Sequence, residues 1–389
     1  MVRWLEDIDR DDSNTVGSKA SNLGELLTQG LDVPRAFVVE ADTFDDFLQS
    51  SGIKERIESE IAACNVEDHD QLRETSQTIQ RRIDNAGLAG ETEEELTTAY
   101  EEIDLNNSVR QAGNKAVELV GGQRENESVV VRSSPVGGRE HGVHTPEIGV
   151  RGKDDLIEAV KEAWKRYYSP EALYYRQKKG GSDGMAVMVQ KMVKADTSCT
   201  VFTRHPVGDD NTILIEAVYG IGTALSDGTA TPDTFVVDRE TGRLQEREVR
   251  EKHWNISRDP STGKIQKQRV KRSKRDERTL DSQELSSIVN TALDIEERVG
   301  SALKIDFSIG RSKRFILDVA RASTARSSGQ EAKGNELLTG VVAAPGTREG
   351  EIAITYDTEA LVDPDENIVV SVNPDTALLT SLDRLNGII

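Results

Sequence analysis

The spacing of apolar residues changes twice within the first fifty positions. Ala20, Leu23, Leu26 and Leu27 fall on one side of a 3.6-residue spiral, and Gly30-Leu31 supplies a helix stop. Phe37-Val38-Val39 predicts a strand, after which Asp42 or Thr43 is expected to cap a helix carrying Phe44, Phe47 and Leu48. Residues 54 to 118 are charged and helical in pattern, and Val129-Val130-Val131-Arg132 predicts a short buried strand ending in a cation. An amphipathic stretch from Leu156 to Lys179 contains Ala159, Ala163, Trp164, Tyr167 and Tyr168. Strand-like runs follow at Ala186 to Val193, Thr200 to Thr203 and Ile213 to Val218, then a hairpin built on Phe235-Val236-Val237 and the run after Thr241-Gly242. A helix from about Ser282 to Val299 leads to a second hairpin, Ile305 to Ile309 and Phe315 to Val319, turning at Gly310.

This pattern predicts two α+β blocks, 1–185 and 186–325, then a segment of linker composition at 326–336 and a partial domain at 337–389. The last part has two strand signals, a Pro-Gly turn at 345–346 and an apolar end, Ile388-Ile389, which suggests a truncated domain. A chain of 389 residues is long enough for two or three cores, although aromatic residues make up only 4%. No apolar run of about 18 residues predicts a membrane span, and the N-terminus lacks a secretion pattern. Cys64 and Cys199 are too few for a disulfide framework or a thiolate cluster, so a cytoplasmic enzyme is the expectation.

A net charge of −20 and a pI near 4.8 fit either adaptation to high salt or an ordinary acidic protein, and both disfavour nucleic acid as a partner. One segment opposes this trend. Residues 247 to 278 hold 12 Lys/Arg against 5 Asp/Glu, a balance that suits a solvated β-ribbon as well as a phosphate-binding patch.

Three groups of residues carry candidate chemistry. Val16-Gly17-Ser18-Lys19 places a lysine among small residues where a helix begins, an arrangement that favours an anion. Its spacing is not that of a Walker loop. Arg132-Ser133-Ser134, followed by Pro135-Val136-Gly137-Gly138-Arg139, sets an arginine fork at a strand end beside a glycine loop, suited to a polyphosphate or to a structural ion pair. If residues whose numbers sum to 624 pair across the second hairpin, Asp306 faces Asp318; such a pair needs a cation or high dielectric to be tolerated. The histidines at 69, 141, 144, 205 and 253 form no catalytic ordering, and none lies in the last domain.

Taken in order, these motifs resemble the phosphoenolpyruvate synthase (pyruvate, water dikinase) family. The opening Trp4-Leu5 through Val16 to Leu26, Gly30 and Val33-Pro34 matches it, as does Val131-Arg132-Ser133-Ser134. The most specific stretches are Val189-Gln190-Lys191-Met192-Val193, Phe202-Thr203-Arg204-His205-Pro206, Ile215 to Gly222, Thr231-Pro232-Asp233-Thr234 and Val236-Val237-Asp238.

The resemblance implies an ATP-grasp module of two α+β subdomains that clamp a nucleotide, followed by the start of a swivelling phosphohistidine domain. It implies that Lys19 and Arg132 hold phosphates, that Gln190, Lys191, Met192 and Val193 line the adenine slot, and that Glu216 and Arg321 also serve ATP. Asp306 and Asp318 would take Mg²⁺. In the family, ATP phosphorylates a histidine that carries phosphate to pyruvate on a C-terminal barrel. The segment with Gly340 and Ala344-Pro345-Gly346 resembles the start of the swivelling domain.

The chain departs from the pattern in four places. The loop after Ser134 is short and lacks an Ala-Thr-Ala-Glu-Asp run; Phe315 to Arg321 replaces a Gln-Ala-Arg-Pro run; Ser198-Cys199 replaces Ser-Gly; and the histidine-bearing Ser-His-Ala segment and barrel are absent. The isolated chain is therefore expected to bind MgATP without making phosphohistidine, with pyruvate handled by a further part or a separate polypeptide. A rifampicin-type phosphotransferase module and a degenerate ATP-binding sensor are the alternative readings.

Overall fold

The computed structural model describes residues 1–103, 128–137, 145–179, 184–206, 209–226, 228–259, 262–310 and 313–322, together with the backbone of three short strands near the C-terminus. The predicted linker 326–336 and the histidines at 141 and 144 lie outside these residues. The chain divides into two compact units: Met1–Gly24, Arg35–Lys191 and Thr347–Ile389 form the first, Glu25–Pro34 and Met192–Gly346 the second. The division stands at 191/192 rather than 185/186, because the strand expected to open the second block pairs inside the first sheet. No helix among the described residues is long and apolar enough to cross a membrane.

The first unit is built on an antiparallel sheet of β1 (Val2–Trp4), β2 (Ala36–Val39), β3 (Val129–Val136), β4 (Glu147–Val150) and β5 (Gly184–Lys191), in the order β1-β2-β5-β3-β4. Its helices are α1 (Ser13–Thr28, whose first part belongs here), α2 (Ala41–Ser50), α3 (Lys54–Ala63), α4 (His69–Asn85), α5 (Gly90–Glu102), α6 (Lys153–Arg166) and α7 (Pro170–Lys179). Alternation sorts β3 and β5 by face. Val129, Val131, Val187 and Val189 join Phe37, Leu72, Ile79, Leu156 and Trp164 in one apolar cluster, with Trp164 stacked on Phe44 and Phe47 at 5.2 and 5.0 Å. Arg132, Ser134 and Gln190 lie on the opposite face of the same strands.

The expected cap of α2 is not formed. The helix starts at Ala41, and Glu40, at the cap position, makes no side-chain cap bond. Glu40 instead binds Arg3, and the Thr43 hydroxyl is engaged by the N-terminal amine. Tertiary partners have claimed both side chains.

The second unit carries a six-stranded antiparallel sheet. Its strands are β6 (Thr197–Phe202), β7 (Thr212–Tyr219), β8 (Asp233–Asp238), β9 (Leu244–Glu248), β12 (Leu303–Ile309) and β13 (Arg314–Arg321), ordered β13-β12-β6-β7-β8-β9. A short helix α8 (Thr223–Ser226) follows β7, and β10 (Trp254–Arg258) with β11 (Ile265–Arg269) forms a separate two-stranded ribbon, so the basic segment is a ribbon and its loop. Helix α9 (Ser282–Val299) has the predicted limits and the reasons for them. Asp281 and Glu284 form a capping box, Gly300 closes the helix at φ 75°, and Leu285, Ile288, Ala292 and Ile295 are buried along one side. Three further strands, β14 (Ile352–Thr355), β15 (Ile368–Ser371) and β16 (Gly387–Ile388), form a parallel sheet.

Two family-like motifs anchor this fold. Thr203 pairs with Leu303 through its N–H and its hydroxyl, while Glu296 accepts from Arg204 and Arg239 at the same strand end. Asp233, fully buried, accepts from Lys252 Nζ at 2.5 Å, Thr279 N at 2.7 Å and Arg250 N at 3.1 Å. The Lys252 side chain is only 1% exposed. Truncating one partner of such a pair leaves the other charge without compensation in low dielectric.

Asp233→Ala is therefore expected to destabilise the second unit by about 3–5 kcal/mol in urea denaturation. Adding Lys252→Met should restore only part of this loss, because the amides of Thr279 and Arg250 remain unpaired at about 1–3 kcal/mol each. Full restoration by the double variant would show that the ion pair, rather than the amide bonds, holds the segment.

Candidate functional site

In the first unit, the Gly-Ser-Lys and Arg-Ser-Ser motifs meet. Gly17 has φ 77° and ψ 164° and breaks α1 into two helical pieces, so that Ser18, Lys19 and Ala20 open a new helical turn. A Cβ on Gly17 would lie 2.2 Å from the Ser134 carbonyl oxygen, so only glycine permits this approach. Ser134 Oγ in turn accepts from Ala20 N at 3.3 Å, satisfying one donor of the restarted helix. Ser134, recognised in the sequence only as part of a motif, is thus the contact that sets Lys19 beside the sheet face bearing Arg132.

On that face Arg132 pairs in register with Met188, and Val130 with Gln190. Arg132 and Gln190 are therefore diagonal neighbours on adjacent strands, a separation of about 7–8 Å. Gln190 is 2% exposed, and its Nε2 has no hydrogen-bond partner among the described residues. A buried amide donor left unsatisfied costs about 1–3 kcal/mol and marks a place where a ligand acceptor would be welcome. Lys191 ends β5, with its N–H on Arg35 O at 2.7 Å. Met192 and Val193 lie past the strand end and begin the second unit.

In the second unit, one row of residues crosses five strands. Asp318 pairs with Asp306, Asp306 with Thr200, Thr200 with Glu216, and Glu216 with Thr234 on β8. Direct partners share a face, so three carboxylates project from the side opposite Ile305, Val201 and Ile215, each of which is fully buried. The expected register holds from Leu303 to Asp306 and then shifts by one, where Phe307 pairs with Ile316 and Leu317 is the extra residue. This bulge has a clear effect. Strict alternation would put Ile316 and Asp318 on one face, whereas the extra residue buries Ile316 and leaves Asp318 beside Asp306. Three consecutive apolar residues, Phe315-Ile316-Leu317, were the available sign of it.

Asp306 accepts from the Thr200 hydroxyl at 2.7 Å, and Asp318 Oδ1 accepts from Val319 N at 2.9 Å. Among the described residues no group of three or more His, Cys, Asp or Glu side chains is arranged to hold a metal by itself. Two carboxylates with no nitrogen or sulfur donor fit Mg²⁺, which commonly takes one or two carboxylates and completes its shell with phosphate oxygens and water. Arg321 does not join the row. It is exposed and pairs with Leu303, three residues from Asp318, which sets it toward the other face. Cys199 faces Ala217 and Phe307 on the apolar side; burial pushes its thiol pKa up and keeps it unreactive.

Burial also raises the Glu216 carboxyl above its ordinary value, against the opposing charge of Lys304. The folded chain thus holds this proton more tightly than the unfolded chain does. Stability tied to Glu216 is fully present below the ordinary carboxylate value of about 4.3 and is lost as pH rises through the raised folded-state value. Glu216→Gln is expected to raise the melting temperature of the ligand-free chain at pH 7, with the gain vanishing near pH 4. Melting curves that show an equal gain at both pH values would contradict the burial account.

Residues 13–339 match the family described as pyruvate phosphate dikinase, AMP/ATP-binding domain. A probable phosphoenolpyruvate synthase of Archaeoglobus fulgidus is 31% identical over 400 residues, covering 100% of this chain and 51% of that protein. One from Methanocaldococcus jannaschii is 26% identical over 377 residues, covering 93% of this chain and 30% of its own length. The phosphoenolpyruvate synthase of Pyrococcus furiosus is 24% identical over 437 residues, covering 96% and 51%. The chain spans about half or less of the length of these curated relatives. With the Gly17–Ser134 junction and the paired aspartates falling inside the matched span, this chain belongs to the pyruvate phosphate dikinase AMP/ATP-binding domain family.

Proposed function

We propose that this chain is the ATP-binding part of a phosphoenolpyruvate synthase-type dikinase, built as an ATP-grasp module followed by the start of a swivelling domain. The overall reaction would convert ATP, pyruvate and water to AMP, phosphoenolpyruvate and phosphate through a phosphohistidine. The pyruvate half is assigned to no residue of this chain. The relatives' names support the reaction class, and the facing Asp306–Asp318 pair is the observation that supports a magnesium nucleotide as the ligand.

In this reading Lys19 and Arg132 neutralise phosphate charge in a chain whose net charge of −20 would otherwise repel ATP. The Gln190 amide and the Lys191 to Val193 backbone serve the base, and Glu216, on the sheet of the second unit, is a further nucleotide contact. Asp306 and Asp318 hold Mg²⁺, which when bound would offset charge on the phosphate oxygens. Arg321 is given no role, because its register turns it from the acidic row.

Loss of one charge-assisted bond costs about 1.5–3 kcal/mol, so Lys19→Ala and Arg132→Ala should each weaken ATP binding roughly ten- to a hundred-fold in calorimetry. Unchanged affinity in both variants would remove these residues from the ligand. The Asp306→Asn/Asp318→Asn variant should keep its fold by circular dichroism and its ATP affinity in EDTA, yet lose the gain in affinity that magnesium confers. A gain equal to that of the unaltered chain would overturn the metal assignment.

A further inference from the structure

Thr200 separates the Asp306 and Glu216 carboxylates in the row that crosses the sheet. It pairs with Asp306 on one side and Glu216 on the other, is 7% exposed, and donates its hydroxyl hydrogen to Asp306 Oδ1 at 2.7 Å. A threonine hydroxyl has a single hydrogen to give, and here it is committed to Asp306. Asp306 faces Asp318 on its other flank, so an untethered carboxylate would turn away from its like-charged neighbour. The hydrogen bond restrains that rotation, while Oδ2 of Asp306 accepts from no described residue.

We infer that Thr200 is a positioning residue for divalent-cation binding: it holds the Asp306 carboxylate in place beside Asp318 before the cation arrives. This rests on the reading of Asp306 as a cation ligand and adds to it the group that fixes the ligand's orientation. Preorganisation of this kind acts on the affinity for the cation and leaves cation-free nucleotide binding untouched. Thr200 therefore differs from Ser198, two residues earlier on the same face, whose hydroxyl bonds the Gly220 carbonyl at 2.7 Å and serves the fold.

The test compares ATP affinity in saturating magnesium with ATP affinity in EDTA for the whole chain. Thr200→Val keeps the shape and removes the donor; it should cut the magnesium-dependent gain about tenfold, with EDTA affinity and the apo melting temperature unchanged. Thr200→Ser retains the donor and should keep the gain within about twofold of the unaltered chain. In an Asp306→Asn background, Thr200→Val should change the gain no further, since the carboxylate it positions is gone. A full magnesium gain in Thr200→Val, or an equal fall in EDTA affinity and melting temperature, would overturn the inference. An unaltered chain without any magnesium gain would remove the cation reading itself, and this inference with it.

Discussion

A missing side chain governs the first unit. The Gly17 backbone lies where any Cβ would strike the Ser134 carbonyl, and this approach is what lets α1 stop, turn through a positive φ and start again. The restarted turn exposes backbone N–H groups, and the Ser134 hydroxyl takes one of them. Because Ser134 and Arg132 are alternate residues of β3, the same contact fixes how far the lysine-bearing turn stands from the arginine. One steric constraint thereby aligns two cations that are more than a hundred residues apart in sequence. Any larger residue at position 17 would have to displace the strand or the helix, so its effect would reach both.

The second unit solves a different problem, that of placing acids on a sheet whose other face must be apolar. Alternation alone supplies Asp306, Thr200 and Glu216 on their strands, but β13 has an apolar run that would bury the wrong side chains. The extra residue at Leu317 absorbs this conflict within one step. Elsewhere in the unit, the Asp233 network ties the start of β8 to the segments on either side of the ribbon, and Glu296 gathers two arginines at the end of β6. These buried charges lie outside the acidic row, and their work is to hold strands that carry it.

Much of this was legible from residue order. Helix α9 was legible over Ser282 to Val299, where the structure adds Asp281, Glu284 and Gly300 as the residues that set its ends, and the pairing of Asp306 with Asp318 followed from counting across Gly310. What escaped were features set by distant partners. The cap expected at Asp42 or Thr43 is not formed because α2 starts earlier, at Ala41, and the Thr43 hydroxyl bonds Met1 instead. The end of β5 was misplaced because its neighbours β2 and β3, not its own composition, decide where pairing stops. The Ser134 cap and the Thr200 hydrogen bond have no local signature, since serine and threonine in a strand look alike whether or not their hydroxyls find a partner. The bulge left a trace, an apolar triplet, whose meaning depends on which residues stand opposite.

Cys199 offers an unplanned clock. Its thiol is sealed against Ala217 and Phe307 in the middle of the six-stranded sheet, while Cys64 is only half-buried. A thiol reagent added to the folded protein would mark Cys64 promptly and reach Cys199 only during moments when β6 parts from its neighbours. The lag between the two labels counts those openings, so the chain carries its own gauge of how often the strand that bears Thr200 comes apart.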